Sequence, residues 1–322
     1  MCQNGPGAGV YPAPAYLGGF HLDNYYPTLV AGMVAGILAR LLTLRSDYRH
    51  FPGYPHGFVT HISLGVVAAA LGAIAVPALI EKEYSAVSFL ALAAQQFREI
   101  RNMERETLSH LEASELVPRG NDMIEGIARV FESRNYLAIG AALQASLVTY
   151  HFGIPWAVVS SAIVLWIFFR YLATGKCVGD IAEVVPSKPY FGTDQYKTML
   201  MIENIVIMEV GLESSREKIS QEGLGVLIKP KDDNARATLN NIGQRQAILH
   251  TVSTLLGSKL EIGEPDWTPM ARKDIDTGAI GLFIMPNEPD VEPLIEAVKM
   301  TPVLESSRVT PLESLPGSKA AD

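Results

Sequence analysis

Long apolar runs fill the first half of the chain and are missing from the second half. Such runs lie at residues 27–44, 57–80 and 154–174, with two shorter ones at 84–94 and 136–151. About 20 apolar residues at about 1.5 Å each span a hydrocarbon core of ~30 Å. The pattern predicts an α-helical polytopic membrane domain of about five transmembrane helices over residues 27–185, after a disordered tail over residues 1–26.

The third run is short, and it continues without Gly or Pro into polar sequence. Helical spacing extends to about residue 115 and places Arg98, Arg101 and Arg105 along one stripe. This stripe can bind phosphate headgroups or the carboxylates of a substrate. The alternative is a solvated face whose arginines pair with nearby glutamates. Pro118 breaks the helix, and a second, separate helix is predicted over residues 123–132.

Basic residues are concentrated in alternate connections. Arg45 and Arg49 lie in the first loop, and six arginines lie between Arg98 and Arg134. The positive-inside rule places these segments in the cytoplasm. With an odd number of crossings, the N-terminal tail is expected outside the cell membrane and the C-terminal part in the cytoplasm. Arg40, near a helix end, is expected to extend to the headgroups.

Beyond Val185 the pattern becomes that of a soluble protein. Strands are predicted at residues 205–212, 223–228 and 279–285 from their β-branched content. Apolar residues recur at helical spacing from Leu239 to Leu256 and end at Gly257. The sequence predicts a cytosolic α/β sandwich domain over residues 187–305, large enough for its own core, and a disordered tail over residues 306–322.

Composition excludes several function classes. The net charge of −8 gives no electrostatic attraction toward nucleic acid, so we expect no nucleic-acid partner. The two cysteines, Cys2 and Cys177, rule out a disulfide framework and a cysteine-based metal cluster. No Gly-rich phosphate loop precedes a helix, and no His-Glu-x-x-His zinc pattern occurs. We therefore predict neither a cofactor nor a metal.

Aspartates at the predicted cytoplasmic membrane face are the candidates for chemistry. Asp180 follows the fifth apolar run, and Asp47 lies at the corresponding depth after the first. Two carboxylates near a low-dielectric surface can share a proton, which is the chemistry of aspartyl proteases. Gly179 would let an extended peptide approach the backbone beside the acid. The alternative is that Asp180 is a polar boundary residue and that Asp47 pairs with its neighbouring arginines.

A second aspartate pattern occurs late in the chain. Residues 276–279 read Asp-Thr-Gly-Ala, which matches a motif of pepsin-like proteases. In those proteins an apolar strand precedes the motif, whereas here the polar residues 272–274 do. We therefore interpret Asp276 as part of a hairpin turn.

Several longer motifs resemble one known family. Residues 123–128 read Met-Ile-Glu-Gly-Ile-Ala, which resembles the signature after which the YIEGIA family is named, with Met123 in place of the tyrosine. Segments 93–98, 102–106, 115–120 and 178–182 are similar as well. The likeness covers nearly the whole chain beyond the N-terminal tail.

The resemblance implies a role in endospore formation, in a membrane of a sporulating bacterium. It also implies an aspartyl protease that controls the level of a sporulation protein and is itself held in check by a small protein inhibitor. We assign catalysis to Asp47 and Asp180, and substrate binding to Gly179, to the arginine stripe and to Glu125 of the signature. The other hypothesis is a non-enzymatic membrane scaffold or regulator of sporulation that acts through its cytosolic domain. Oligomeric state, substrate identity and the need for any catalysis stay open.

Overall fold

The computed structural model describes residues 16–17, 20–47, 55–112, 115–168, 170, 175–261, 264–265, 267–314 and 316, without the side chains of residues 16–24, 45–47, 55–58, 89, 195 and 260–266. The chain forms two compact units. The first unit contains residues 1–101 and 130–174, and the second contains residues 102–129 and 175–322. Each unit is therefore built from two separate stretches of sequence.

The first unit is almost entirely helical. Two antiparallel strands of two residues each, β1 (Tyr16–Leu17) and β2 (Phe20–His21), precede the helices. The helices are α1 (Leu22–Asp47), α2 (Pro55–Ile80), α3 (Tyr84–Glu112), α4 (Asn121–Phe152) and α5 (Ile154–Ile167). Both α3 and α4 cross the boundary at residues 101 and 130, so each contributes residues to both units.

Small residues allow α1, α2 and α4 to pack closely. A Cβ atom added at Gly36 of α1 would lie 2.6 Å from the Ala69 Cβ and 2.9 Å from the Ala138 carbonyl oxygen. Ala68, Ala69 and Ala138 are completely buried. The backbones thus approach to a distance that larger side chains would prevent, which is the packing typical of helices in membranes.

The prediction of about five transmembrane helices is wrong. Within the described residues, two helical segments are long and apolar enough to cross a membrane, Tyr25–Leu44 of α1 and Val59–Ile80 of α2. The apolar start of α3 is too short. As far as it is described, helix α5 has 14 residues and is about 21 Å long, which is shorter than a core of ~30 Å.

Helix α4 also differs from the prediction. The sequence predicts a short helix at residues 123–132 and a separate apolar helix at 136–151, whereas the structure has one helix of 32 residues. Its middle carries Arg134 and Asn135, both buried. The small apolar residues Ala138 and Ala142 of α4 are buried against α1 and α2, whereas Leu143 and Leu147 are exposed. An apolar run alone does not distinguish packing against helices from contact with lipid.

The described part of the second unit contains short helices, two small sheets and one separate pair of two-residue strands. Its strands are β3 (Ala182–Pro186), β4 (Tyr190–Phe191), β5 (Met199–Ile202), β6 (Ile205–Glu209), β7 (Leu224–Pro230), β8 (Leu260–Glu261), β9 (Glu264–Pro265), β10 (Met270–Lys273) and β11 (Ile280–Ile284). Its helices are α6 (Val178–Ile181), α7 (Glu213–Glu222), α8 (Asp233–Asn240), α9 (Ile242–Leu256) and α10 (Val291–Met300). The predicted strands near residues 205, 223 and 279 and the helix ending at Gly257 are confirmed.

All strand pairs in the described residues are antiparallel, so the fold is not an α/β fold with parallel strands. The larger sheet has the strand order β10-β11-β7-β3, and the smaller has the order β4-β5-β6. One core cluster packs Val226 and Ile280 of the larger sheet against α9 and α10. The other packs Leu227 and Phe283 against the smaller sheet. The larger sheet is thus covered on both faces.

Residues 301–314 after α10 are held by hydrogen bonds to the rest of the second unit, whereas the sequence predicts disorder from residue 306. The completely buried side chain of Gln244 fixes this segment. Its Nε2 donates to the Pro302 carbonyl at 3.0 Å, and its Oε1 accepts from the Leu304 N–H at 2.8 Å and from the Ser307 hydroxyl at 2.9 Å. Further along, the Leu312 N–H donates to Asn234 of α8 at 3.0 Å.

The segment between α3 and α4 belongs to the same core. Val117 is 6% exposed and is part of the cluster formed by the larger sheet, α9 and α10. The His250 ring lies 2.8 Å from the Val117 carbonyl, and Gln246 donates to the Pro118 carbonyl. Burial is the main cause that holds the pKa of His250 below its ordinary value. The second unit therefore depends on residues that lie far ahead of it in sequence.

Candidate functional site

Asp180 lies on the short helix α6, directly before the edge strand β3. Its side chain is exposed, and its Oδ2 accepts a hydrogen bond from the Cys177 N–H at 2.8 Å. The Lys231 ammonium donates to the carbonyl oxygens of Gly179 and Asp180, each at 2.9 Å. A backbone N–H therefore holds one oxygen of the carboxylate. The lysine ammonium holds the carbonyl groups of the same turn.

Gly179 contacts α10. A Cβ atom at this position would lie 3.1 Å from the Lys299 Cβ and 3.3 Å from its Cγ, which is tighter than most Cβ contacts. The missing side chain thus allows α10 to approach α6. That Gly179 also admits a peptide stays a prediction.

Strand β3 forms the outer edge of the larger sheet, next to Asp180. Its ladder with β7 includes the bonds from the Ser187 N–H to the Gly225 carbonyl and from the Lys231 N–H to the Ile181 carbonyl. Since pairs alternate along an antiparallel ladder, Glu183 and Val185 bond to β7. The backbone groups of Val184 therefore point away from the sheet, and no hydrogen bond joins them to a described residue.

The second proposed acid, Asp47, is the last residue of α1. Its side chain lies outside the described residues. Asp47 belongs to the first unit and Asp180 to the second. The shared proton of this pair accordingly stays a prediction.

The arginine stripe on α3 is divided among different environments. Arg101 pairs with Glu132 of α4 at 3.1 Å, whereas Arg98 and Arg105 are exposed. Burial raises the pKa of the Glu104 carboxyl. The stripe is therefore partly used inside the protein, and its role in substrate binding stays a prediction.

Glu125, the acidic residue of the signature in α4, has a local partner. It pairs with Arg129 one turn later at 3.0 Å. Met123, Ile124 and Ile127 of the same signature are buried. The signature thus contributes mainly to packing in the second unit, and a role of Glu125 in substrate binding stays a prediction.

Asp276 lies in the tight turn between β10 and β11, which confirms the hairpin interpretation. The turn is closed by the bond from the Asp274 N–H to the Ala279 carbonyl at 2.8 Å, and Gly278 has a φ of 73°. The Asp274 carboxylate bonds the Thr277 hydroxyl and N–H, and these bonds are the main cause that lowers its pKa. Among the described side chains, no three His, Cys, Asp or Glu residues form a group that could hold a metal ion.

A buried basic group in the first unit is not predicted from the sequence. Arg40 is 1% exposed instead of extending to the surface as predicted. Its Nη2 lies 2.8 Å from the Nδ1 of His61, and its guanidinium lies 5.3 Å from the centre of the Phe131 ring. Gly65 leaves the space that the Arg40 side chain occupies. The only sequence signal is an arginine among apolar residues, and it does not reveal a partner 21 residues away.

Sequence comparison places the chain among known proteins. The profile of the family described as "YIEGIA protein" matches residues 28–314. A protein of Bacillus subtilis (strain 168) with the name "Uncharacterized protein YphB" is 43% identical over 291 residues, which are 90% of this chain and 96% of the relative. No solved structure matches the chain. Because the family profile covers most of the sequence, the chain belongs to the YIEGIA family.

Proposed function

We propose that this protein is a membrane-associated aspartyl peptidase that cuts a protein substrate during endospore formation. One observation carries the proposal: the exposed carboxylate of Asp180 is held by backbone at the start of an open sheet edge. An extended peptide chain pairs with such an edge through its own backbone. The scissile bond can thereby be presented to a fixed acid.

In this mechanism Asp180 and Asp47 share one proton. The ionised carboxylate takes a proton from water as the water oxygen bonds to the carbonyl carbon, and the protonated carboxyl donates to the carbonyl oxygen of the substrate. When this intermediate collapses, the C–N bond breaks, the carboxyl formed in the first step protonates the leaving amine, and the other carboxylate takes back its proton. The Cys177 N–H occupies Oδ2 of Asp180 and leaves Oδ1 without a described hydrogen-bond partner. That oxygen is the one available for water or substrate.

Apolar exposure supports a membrane location for the first unit. Besides the two helical segments of spanning length, the side chains of Trp156, Val158 and Trp166 on α5 are more than 60% exposed. Exposed apolar surface of this extent is typical of contact with lipid or a partner. We propose that the membrane is the cell membrane or a membrane of the developing spore, and that lipid covers this surface.

We propose that the second unit lies in the cytoplasm, since the six arginines between Arg98 and Arg134 favour that side. The shared proton also requires Asp47, at the end of α1, to face the cytoplasm, so α1 must enter the membrane from outside; crossings by the two described spanning segments alone would leave Asp47 outside and exclude the mechanism. The peptidase therefore needs its N-terminal tail outside the cell, which requires an odd number of crossings. Reporter fusions at the two termini, one active only outside and one only inside, distinguish these topologies.

A non-enzymatic regulator is the second candidate, and a specific contact favours it. The bond from the Cys177 N–H to Asp180 gives the carboxylate a structural task, because it closes the first turn of α6. In this reading the second unit binds a partner protein and no bond is cut. A small protein that binds the second unit would act as an inhibitor in the first reading and as a partner in this one.

Isosteric substitution separates the two candidates. Asp180→Asn keeps an oxygen that accepts from the Cys177 N–H, but it removes the acid. Asp47→Asn does the same at the second proposed acid. Asp232→Asn is the matched control, because Asp232 also accepts a backbone N–H at 2.6 Å, from Ala235, at the start of α8. Each variant replaces the chromosomal gene of a spore-forming host, and protein levels are compared by isotope-labelled mass spectrometry during sporulation.

A peptidase gives one pattern of protein levels. Proteins that accumulate when the gene is deleted also accumulate in Asp180→Asn and Asp47→Asn cells, and they stay at wild-type levels in Asp232→Asn cells. Wild-type levels in both acid variants, with a clear effect of gene deletion, would rule out the peptidase. That result supports the regulator. For a regulator, only Asp180→Ala should lower the amount of the protein itself, because this substitution removes the hydrogen bond that closes the turn.

A further inference from the structure

We propose that β3 binds an extended segment of the substrate by strand addition and selects its side chains; the inference rests on the proposed function. Strand β3 ends the order β10-β11-β7-β3, so one of its edges has no neighbouring strand among the described residues. The edge begins two residues after Asp180. A segment that pairs with β3 and continues past its first residue therefore leads toward the proposed acid.

Three backbone groups are available along this edge. Val184 offers its N–H and its carbonyl, and Pro186 offers its carbonyl. Ala182 offers neither group, because the residue is 2% exposed and its N–H donates to the Val178 carbonyl at the end of α6. An antiparallel segment can therefore form three hydrogen bonds, two of them between Val184 and one central residue of the segment.

The side chains of β3 define what the segment should carry. Glu183 is exposed and Val185 is half-buried, and both lie on the opposite face from Ala182 and Val184. In an antiparallel pair, the residue after the central one lies opposite Glu183, and the residue before it lies opposite Val185. The edge thus fits a segment with an apolar residue, any residue and a basic residue in that order.

A second copy of the chain fits less well. If two β3 strands paired around Val184, each Glu183 would lie opposite Val185 of the other copy. Each Glu183 carboxylate would then face an apolar side chain across the new pair and keep only Lys229, its partner on β7, as a cationic neighbour. Charge complementarity therefore favours a basic segment of another protein.

Peptide binding to the full chain in detergent tests this edge. The probe is a fluorescein-labelled nonapeptide of threonine with Val at position 4 and Lys at position 6. The matched control peptide has the same composition with Val and Lys exchanged. All measurements use protein with Asp180→Asn, which cannot cut the probe in the proposed mechanism, so binding is read without catalysis.

Two substitutions on β3 probe the contact itself. Val184→Pro removes the outward N–H and leaves the bonds to β7 unchanged, and edge strands accept proline. We expect at least about fivefold weaker binding of the probe, since one hydrogen bond and its geometry are lost. Glu183→Lys keeps every backbone bond and is informative even if Val184→Pro fails to fold. It should weaken binding of the lysine probe by about threefold or more and favour a probe with Glu at position 6.

Fluorescence polarisation supports the proposal if the probe binds more tightly than the exchanged peptide and both substitutions act as stated. Equal binding of the two peptides, unaffected by Val184→Pro and by Glu183→Lys, would overturn it. A dimer in light scattering that Val184→Pro dissociates would also overturn it, because a second copy would then occupy the edge. None of these results depends on cleavage, so failure here is distinct from failure of the peptidase proposal.

Discussion

The amide of Gln244 should be one of the most sensitive side chains of the second unit. It is completely buried and bonds the Pro302 carbonyl, the Leu304 N–H and the Ser307 hydroxyl. Residues 301–303 in turn bond the start of α6, through the Val178 N–H to the Thr301 carbonyl and the Val303 N–H to the Lys176 carbonyl. The perturbation is Gln244→Met, which keeps the size of the side chain and removes every one of its hydrogen bonds.

The magnitude follows from the groups left behind. The Leu304 N–H becomes a buried donor without a partner, which costs about 1–3 kcal/mol. The Pro302 carbonyl is half-buried and loses a bond of about 1 kcal/mol. Ser307 keeps its bond to the Leu304 carbonyl at 2.8 Å. With no cavity, the free energy of unfolding should fall by about 3 kcal/mol, or by about 6–12 °C in Tm for a unit of this size.

Thermal unfolding by circular dichroism measures the loss, and hydrogen exchange locates it. We expect faster exchange in residues 301–307 and in residues 176–181, because the two segments are bonded to each other. Gln221→Met is the matched control on the exposed surface of α7 and should change the Tm by less than about 2 °C. A loss in Gln244→Met no larger than in this control, with unchanged exchange at both segments, would refute the reasoning.

Three further predictions follow from the packing and the charges. Gly72→Ala should lower the Tm of the first unit, since the added Cβ would overlap the Ile139 carbonyl oxygen. Gly140→Ala is the control, because a Cβ there meets no atom within 4 Å, and it should leave the Tm unchanged or raise it slightly. Thermal unfolding in detergent measures both variants. Burial holds the pKa of His250 below 6.5, so as the pH falls the histidine of the unfolded state is protonated before that of the folded state. The stability that His250 contributes is therefore present above about pH 6.5 and is lost as the pH falls below it. Urea unfolding at pH 7.5 and 5.5 should show this loss, and His250→Gln should reduce it; an equal loss in the variant would point to other groups. If the protein is the proposed peptidase, Asp276→Ala should leave the levels of its substrates during sporulation unchanged, since Asp274 and not Asp276 closes the hairpin. Substrate accumulation at normal levels of the variant itself would contradict this.

Local patterns predicted much of the second unit. The spacing of apolar residues up to Gly257 predicts α9, because the periodicity of a helix and its glycine stop are written in neighbouring residues. The strands around Val226 and Leu282 are found from their β-branched and apolar content in the same way. Their antiparallel pairing was not predicted, since it depends on contacts between strands far apart in sequence.

The count of membrane helices failed for a physical reason. An apolar side chain is equally suited to lipid and to another helix, so the run around Ala142 in α4 has the pattern of a membrane helix although Ala142 is completely buried in protein. The buried position of Arg40 was not predicted for a similar reason, because it requires the space that Gly65 leaves on another helix. Of the candidate site, the sequence identified Asp180 and Asp276 as residues of interest. The sequence did not reveal that β3 is an edge strand, because this position depends on the order of all strands in the sheet.

The division of α3 and α4 between the two units restricts how the protein can be dissected. A fragment that starts at Gly175 has the strands and helices of the second unit, yet it lacks Val117 from the core and the carbonyl that His250 contacts. It should therefore aggregate or be degraded on its own, and adding residues 102–129 as a separate polypeptide should rescue it only if both pieces are made together. In evolutionary terms the two halves are not interchangeable modules. Gene fusion or fission between residues 174 and 175 would break a core, so the two units are expected to be inherited as one gene.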